Sequence, residues 1–263
     1  MNYTISQSAS LELLQRLGEG GHRIFSPEKA REFLKNPSDS YVRQILHGLT
    51  RTGWLLRLRR GIYALSPEVF HGPPIHEFEV AMALASPAAI AHWSALSIHG
   101  LTEQIPRDVF VLTTGKISTP RGPVCVNGSP FRFCRVIPEH YFGTETIWRG
   151  EIPIVVTDPE RTLLDGLTRP QLCGDIGVVL QAFECHGDLN LERIVDYARR
   201  LGVTCAKRLG WVLEHQGVSG KMLQELAQIP ISGYRPLDPT APRRGPCNSR
   251  WNIIENLPGR ATR

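Results

Sequence analysis

The chain has 263 residues, 41% of them hydrophobic and 21% charged, with a formal net charge of +5; this profile fits a folded protein of about two domains and excludes a disordered or low-complexity chain. The positive charge lies at the two ends: residues 1–75 carry ten Lys/Arg against six Asp/Glu, residues 76–229 fourteen against seventeen, and residues 230–263 six against two. A basic end module on a mildly acidic body argues for local anion binding rather than a uniformly cationic surface.

In chain order, Leu11, Leu13, Leu14 and Leu17 predict a first amphipathic helix that stops at Gly18 and the Gly20-Gly21 pair. Ser26, Pro27 and Glu28 form a helix start: a cap, a first-turn proline whose missing amide is harmless, and an acid that complements the helix dipole. Asn36 to Asp39 reads as a turn. The stretch that follows, from Ser40 to Leu65, is the most informative in the chain. Val42, Ile45, Leu46 and Leu49 recur at helical spacing and should face a core, with Ser40 as the cap. Tyr41, Arg43, Gln44, His47 and Arg51 should then point outward. Gly53 ends the helix. Trp54–Leu58 and Ile62–Leu65 are β-prone runs joined through Arg59, Arg60 and Gly61, a hairpin carrying Arg57, Arg59 and Arg60 at or beside its tip.

Helix, helix, turn, helix, hairpin is the order of a winged helix-turn-helix. The expected organisation is α+β, with a winged helix-turn-helix over residues 1–74 and a mixed α/β domain over residues 75–263, divided at His71-Gly72-Pro73-Pro74. On that reading Ser40, Tyr41, Arg43, Gln44 and His47 face the major groove, where Arg43 can fork onto guanine and Gln44 onto adenine. Arg57, Arg59 and Arg60 form a wing that meets phosphates or the minor groove, and Lys29 and Arg51 are further phosphate candidates. The expected partner is double-stranded DNA.

The second domain should hold helices near His76–Ala85 and Ala91–His99, strands at Val109–Thr113, Phe131–Val136 and Ile152–Thr157, then helices from Asp175 to Ile229 broken at Gly187-Asp188, Gly202 and Gly217–Gly220. His92 and His99, at i and i+7, read as packing histidines with satisfied rings. The last 34 residues hold six prolines and a short apolar segment, Trp251–Leu257, expected to drape over the body and fray at the end.

Acids at the strand end, Asp158 and Glu160, could suggest a magnesium-dependent nuclease. Asp158 as a helix cap ahead of Pro159 explains them without chemistry. Six cysteines, Cys125, Cys134, Cys173, Cys185, Cys205 and Cys247, show no CxxC pair and no histidine at ligand spacing, so reduced thiols and no metal are expected. No phosphate-binding glycine loop, GxSxG or HExxH occurs, and neither an enzyme nor a cofactor is expected. No run reaches the roughly 18 to 20 apolar residues of a membrane span. Met1–Ser10 lacks a secretory pattern, so the expected location is the cytoplasm.

Four phrases in order, Leu58-Arg59-Arg60-Gly61-Ile62-Tyr63, Ser94-Ala95-Leu96-Ser97-Ile98-His99-Gly100-Leu101, Thr157-Asp158-Pro159-Glu160-Arg161-Thr162-Leu163-Leu164-Asp165, and Arg250-Trp251 with Asn256, resemble the AbiE-type antitoxin family over nearly the whole chain. These are regulators in bacterial phage-defence toxin-antitoxin systems. The resemblance implies an N-terminal domain that represses its own operon and a C-terminal antitoxin domain that counters a nucleotidyltransferase-class toxin without a stable complex. The rivals are a stand-alone winged-helix regulator and, less favoured, a DNA-targeted nuclease.

Overall fold

The computed structural model describes residues 2–71, 73–116, 123–126, 128–185 and 189–257, with 2–7 described by backbone alone. The chain forms two compact units, Met1–Ser86 with Val124–Phe131, and Pro87–Pro123 with Arg132–Arg263. Eleven α-helices and three β-sheets among the described residues make it an α+β protein. Gly72, within the expected boundary, lies outside the described residues, as do Gly187, Asp188 and the last six residues.

Up to Ser86 the first unit runs α1 (Asn2–Glu19), β1 (Ile24–Phe25), α2 (Pro27–Phe33), α3 (Asp39–Arg51), β2 (Leu55–Arg59), β3 (Ile62–Leu65), α4 (Pro67–Phe70) and α5 (Glu77–Leu84). In α1, Leu13, Leu14 and Leu17 are buried, whereas Leu11 is 67% exposed. Leu11 stands about 200° around the helix from Leu13, off the buried stripe. α2 begins as the sequence indicates, with the Ser26 hydroxyl accepting from the Lys29 amide at 3.3 Å and Pro27 first in the helix. Lys35 and Asn36 both take φ of 61° and turn the chain toward α3.

The cap of α3 is Ser38, whose hydroxyl accepts from the Tyr41 amide at 3.4 Å, so the expected cap Ser40 lies one step inside the helix. Asp39 occupies the first turn, where an acid favours the helix start. Val42, Ile45, Leu46 and Leu49 are buried with Leu13, Leu17, Phe25 and Leu55. Each fully buried aliphatic side chain contributes about 1.5 to 3 kcal/mol, and Leu46→Ala would cost about 2 to 5 kcal/mol. Gly53, at φ 78°, ends α3: its amide donates to the Thr50 carbonyl at 3.2 Å and the Trp54 amide to the Leu49 carbonyl at 3.0 Å. This 5→2 and 6→1 pair closes the last turn and aims the chain into β2. The strands form an antiparallel sheet in the order β1-β3-β2, with Gly61 at φ 79° in the tight β2–β3 turn.

The remaining elements are β4 (Ala88–Ile90), α6 (His92–Ile98), β5 (Val109–Thr113), β6 (Val124–Val126), β7 (Ser129–Arg135), β8 (Thr144–Arg149), β9 (Ile152–Thr157), α7 (Pro159–Thr168), α8 (Ile176–Cys185), α9 (Leu191–Leu201), α10 (Val203–His215), α11 (Lys221–Gln228), β10 (Arg235–Pro236), β11 (Cys247–Asn248) and β12 (Ile253–Ile254). A six-stranded sheet runs β6-β7-β5-β4-β9-β8. Within it, a parallel pairing sets Ile90 of β4 against Val156 of β9, while β4 with β5 and β8 with β9 are antiparallel. The Asp158 carboxylate caps α7 by accepting from the Arg161 amide at 2.8 Å. α7 is buried from Glu160 to Leu167 and packs against α6, α8, α9 and α10.

The proline-rich tail is part of this core rather than draped over it. Trp251 has no exposure, and its indole donates to Glu214 Oε2 at 2.6 Å. Gly210 of α10 lies so close that a β-carbon there would stand 2.0 Å from Trp251 Cζ3. Asn256, just past β12, ties that segment to the one after β10: its Oδ1 accepts from the Asp238 amide and its Nδ2 donates to the Asp238 carbonyl, both at 2.9 Å.

Candidate nucleic-acid interface

At about 100° per residue, Ser40, Arg43, Gln44, His47 and Arg51 fall within an arc of about 100° on α3. All five are exposed. Arg43, Gln44, His47 and Arg51 make no side-chain hydrogen bond or ion pair with any described residue, so their donors and acceptors face solvent. Ser40 shares a hydroxyl contact of 3.1 Å with Ser38. Tyr41 departs from the expected outward set: it is half-buried and packs on the core, because it stands about 100° from Ser40, on the shoulder of the stripe.

Lys29 is also engaged. Its ammonium pairs with Glu32 at 3.1 Å and lies 4.9 Å from the centre of the Phe33 ring. That places it on α2, balanced by an acid. Arg31 reaches from α2 to Asp39 at the start of α3, at 3.1 Å, and braces the turn between the helices. The outward stripe of α3 therefore sits on a helix fixed at both ends and pinned to its neighbour.

On the hairpin, the register slips between Arg57, opposite Tyr63, and Arg59, opposite Ile62. The extra residue, Leu58, is buried, while Arg57 and Arg60 are exposed and Arg59 is half-buried. A bulge breaks the strict alternation of a strand. Trp54 meets the ring of Phe70 edge-on at 5.9 Å, so it packs against α4. Arg60 in the turn and Arg57 in mid-strand thus stand open to solvent, while Arg59 is held partly against the sheet.

No family model matches the chain, and no curated protein matches it. Among solved structures it is similar to the crystal structure of the Rv2827c protein from Mycobacterium tuberculosis, at 14% identity and a TM-score of 0.60, across 94% of this chain and 91% of that chain. Such a likeness is one of fold.

The acids at the end of β9 are committed to structure. Besides capping α7, Asp158 accepts from the Tyr197 hydroxyl at 3.0 Å, and burial holds its carboxyl above the ordinary value. Glu160 accepts from the Asn190 amide at 2.9 Å and faces Arg193 at 3.4 Å. No group of three His, Cys, Asp or Glu that could hold a metal occurs among the described residues. Cys134 and Cys205 are buried thiols, each pushed up to about 12 by desolvation. No described helix is long and apolar enough to cross a membrane.

The two histidines of α6 and its end differ in a way their spacing does not foretell. His99 has the expected satisfied ring, since its Nε2 donates to the Thr157 carbonyl at 2.7 Å. His92 does not: it is 2% exposed and neither ring nitrogen has a partner. No periodicity in the sequence separates the two.

Proposed function

We propose that this protein binds operator DNA through a winged helix-turn-helix, with α2 and α3 as the turn unit, α3 in the major groove and the β2–β3 hairpin as the wing. The observation that carries this reading is the open stripe on α3, with an arginine, a glutamine and a histidine side by side and unpaired, on a unit whose hairpin exposes Arg57 and Arg60. Those residue types match the donor and acceptor pattern of base edges in the major groove. The bulged hairpin supplies charge suited to phosphates. Tyr41 and Lys29, already engaged, are assigned lesser roles.

The biological setting rests on the resemblance to AbiE-type antitoxins: a cytoplasmic repressor of its own operon that also counters a nucleotidyltransferase-class toxin. The deciding assay is fluorescence anisotropy with the DNA upstream of the protein's own gene and a scrambled duplex, at one fixed salt concentration. The wild type should prefer the upstream sequence, and Arg43→Ala should weaken that binding by about 1 to 3 kcal/mol while sparing scrambled DNA. Equal binding to both duplexes would refute operator recognition. Co-expression with the neighbouring gene product, scored by growth rescue, tests the antitoxin role.

A further inference from the structure

The six-stranded sheet ends at β8, an edge strand that pairs along its length with β9 on one side. An edge strand offers its outward N–H and C=O groups to any strand that arrives beside it. Which groups face outward follows from the turn, the two residues Gly150 and Glu151, with Gly150 at φ 61°. A turn of this length makes its flanking pair, Arg149 and Ile152, a hydrogen-bonded one. Alternation along the ladder then directs the backbone groups of Glu145, Ile147 and Arg149 to β9, and those of Thr144, Thr146 and Trp148 away from it. Pro153 agrees, since it has no N–H and lies opposite Trp148, where the ladder needs none. Thr146 and Trp148 are exposed, and no described residue hydrogen-bonds their outward backbone groups.

Exposed edges are commonly guarded by charged side chains that repel a newcomer. On β8 the two charges have opposite sign. Glu145 and Arg149 are exposed and share one face of the strand, with Ile147 midway between them. The Glu145 side chain is 47% exposed, with His99 Nδ1 4.0 Å away. Reversed end for end, the same strand presents the complementary order of charge. With Ile147 opposite Ile147 of a second copy, each Glu145 faces an Arg149 at the closely spaced, non-hydrogen-bonded positions, and Thr146 and Trp148 exchange backbone hydrogen bonds. A slip of two residues loses both ion pairs, because Glu145 then meets Ile147 in one direction and Glu151 in the other. A slip of one residue sets outward groups against inward ones.

We propose that this protein pairs with a second copy of itself, β8 against β8 and antiparallel, so that the two sheets become one and Glu145 meets Arg149 on both sides of a two-fold axis at Ile147. The surface is self-complementary, as a two-fold dimer requires. On the opposite face Trp148, 67% exposed, stands beside Thr146 of the second copy and diagonally across from its Trp148, within reach of the ring. Two copies joined in this way carry two α3 helices, which on the operator reading above suits an inverted repeat.

Sedimentation equilibrium of the full chain tests the pairing, without DNA, so that it stands or falls apart from operator binding. Over about 1 to 300 μM, the range of small interfaces, the wild type should pass reversibly from monomer to dimer. Thr146→Pro removes an outward N–H from each copy and leaves the β8–β9 ladder intact, so it should weaken the dimer at least about tenfold with an unchanged circular dichroism spectrum. Glu145→Arg and Arg149→Glu each set like charges opposite one another at both pairs, and each alone should weaken the dimer at least about tenfold. Mixed in equal amounts, these two variants should associate as tightly as the wild type, because opposite charges meet again. That rescue reports the register itself, which a loss of folding could not imitate. A monomer at every concentration would overturn the proposal. So would a dimer that Thr146→Pro leaves intact, or charge variants that do not rescue each other on mixing.

Discussion

Substituting Gly210 by alanine tests the packing of the tail directly. The new methyl carbon would meet Trp251 at 2.0, 2.4 and 2.5 Å from Cζ3, Cη2 and Cε3. Carbon atoms rest at about 3.5 to 4.0 Å, so the ring has to retreat by roughly 1.5 Å. Little room exists for that, because the indole is fully buried, its Nε1 is bonded to Glu214 and the Trp251 amide donates to Asn248 Oδ1 at 3.2 Å. Alanine favours a helix over glycine by about 1 kcal/mol, while overpacking costs about 1 to 3 kcal/mol and expulsion of a core tryptophan about 3 to 5 kcal/mol. The net expectation is a destabilisation of about 2 to 4 kcal/mol. Urea unfolding followed by circular dichroism and tryptophan fluorescence measures it, and Trp251→Leu in the same chain should recover part of the loss, because the two residues touch. A Gly210→Ala protein as stable as the wild type would show that the indole does not occupy this position.

Removing Arg59 and Arg60 together should flatten the slope of log affinity against log salt by up to about 0.9 for each phosphate no longer neutralised, and an unchanged slope would detach the hairpin from the DNA backbone. Asp165→Asn strips Arg161 of its buried counter-charge, and a loss of about 3 to 5 kcal/mol is expected in urea unfolding; a loss under about 1 kcal/mol would mean that the two carbonyls suffice. His92 makes stability depend on pH: its folded-state pKa is near 4 against an ordinary 6.5, so the unfolded chain takes up the proton first. The stability it permits is intact above pH 6.5 and falls through the window down to about 4, by about 3 kcal/mol in all. His92→Asn should remove that component from a pH series of unfolding curves, and an unaltered series would show that the ring is hydrated in the native state.

Helical periodicity made α3 legible, because Val42, Ile45, Leu46 and Leu49 share one face and a glycine ends the run. The candidate residues on its open face were legible for the same reason, apart from Tyr41, whose amphipathic phenol suits either face. β4 was not legible. All three of its residues are buried, so it shows no alternation, and at that length it looks like a linker between helices. β8 alternates weakly because it lies at the sheet edge, and Trp148 on it is 67% exposed. Arg161 and Lys207, each 1% exposed, carry no mark in a linear reading, since a charged residue is expected at the surface until its partners are seen. The phrases that carry the family resemblance turn out to be rich in such architectural residues: Arg161 ties down the loop before β8, Trp251 fills the core and Asn256 staples two backbone segments. Their chemistry is long-range, and spacing cannot express it.

The union of Ile90 with Val156 sets a schedule for the emerging polypeptide. A ribosome adds roughly 5 to 20 residues per second, so β4 waits several seconds for its parallel neighbour, with only β5 available to cover one flank. Everything from α1 to β3 is synthesised well before then, including both partners of the Ile24–Ala64 pairing that closes its sheet. The face of α3 is therefore assembled while the six-stranded sheet is still unfinished, and a ribosome stalled in that interval would display the helices and hairpin from α1 to β3 ahead of it.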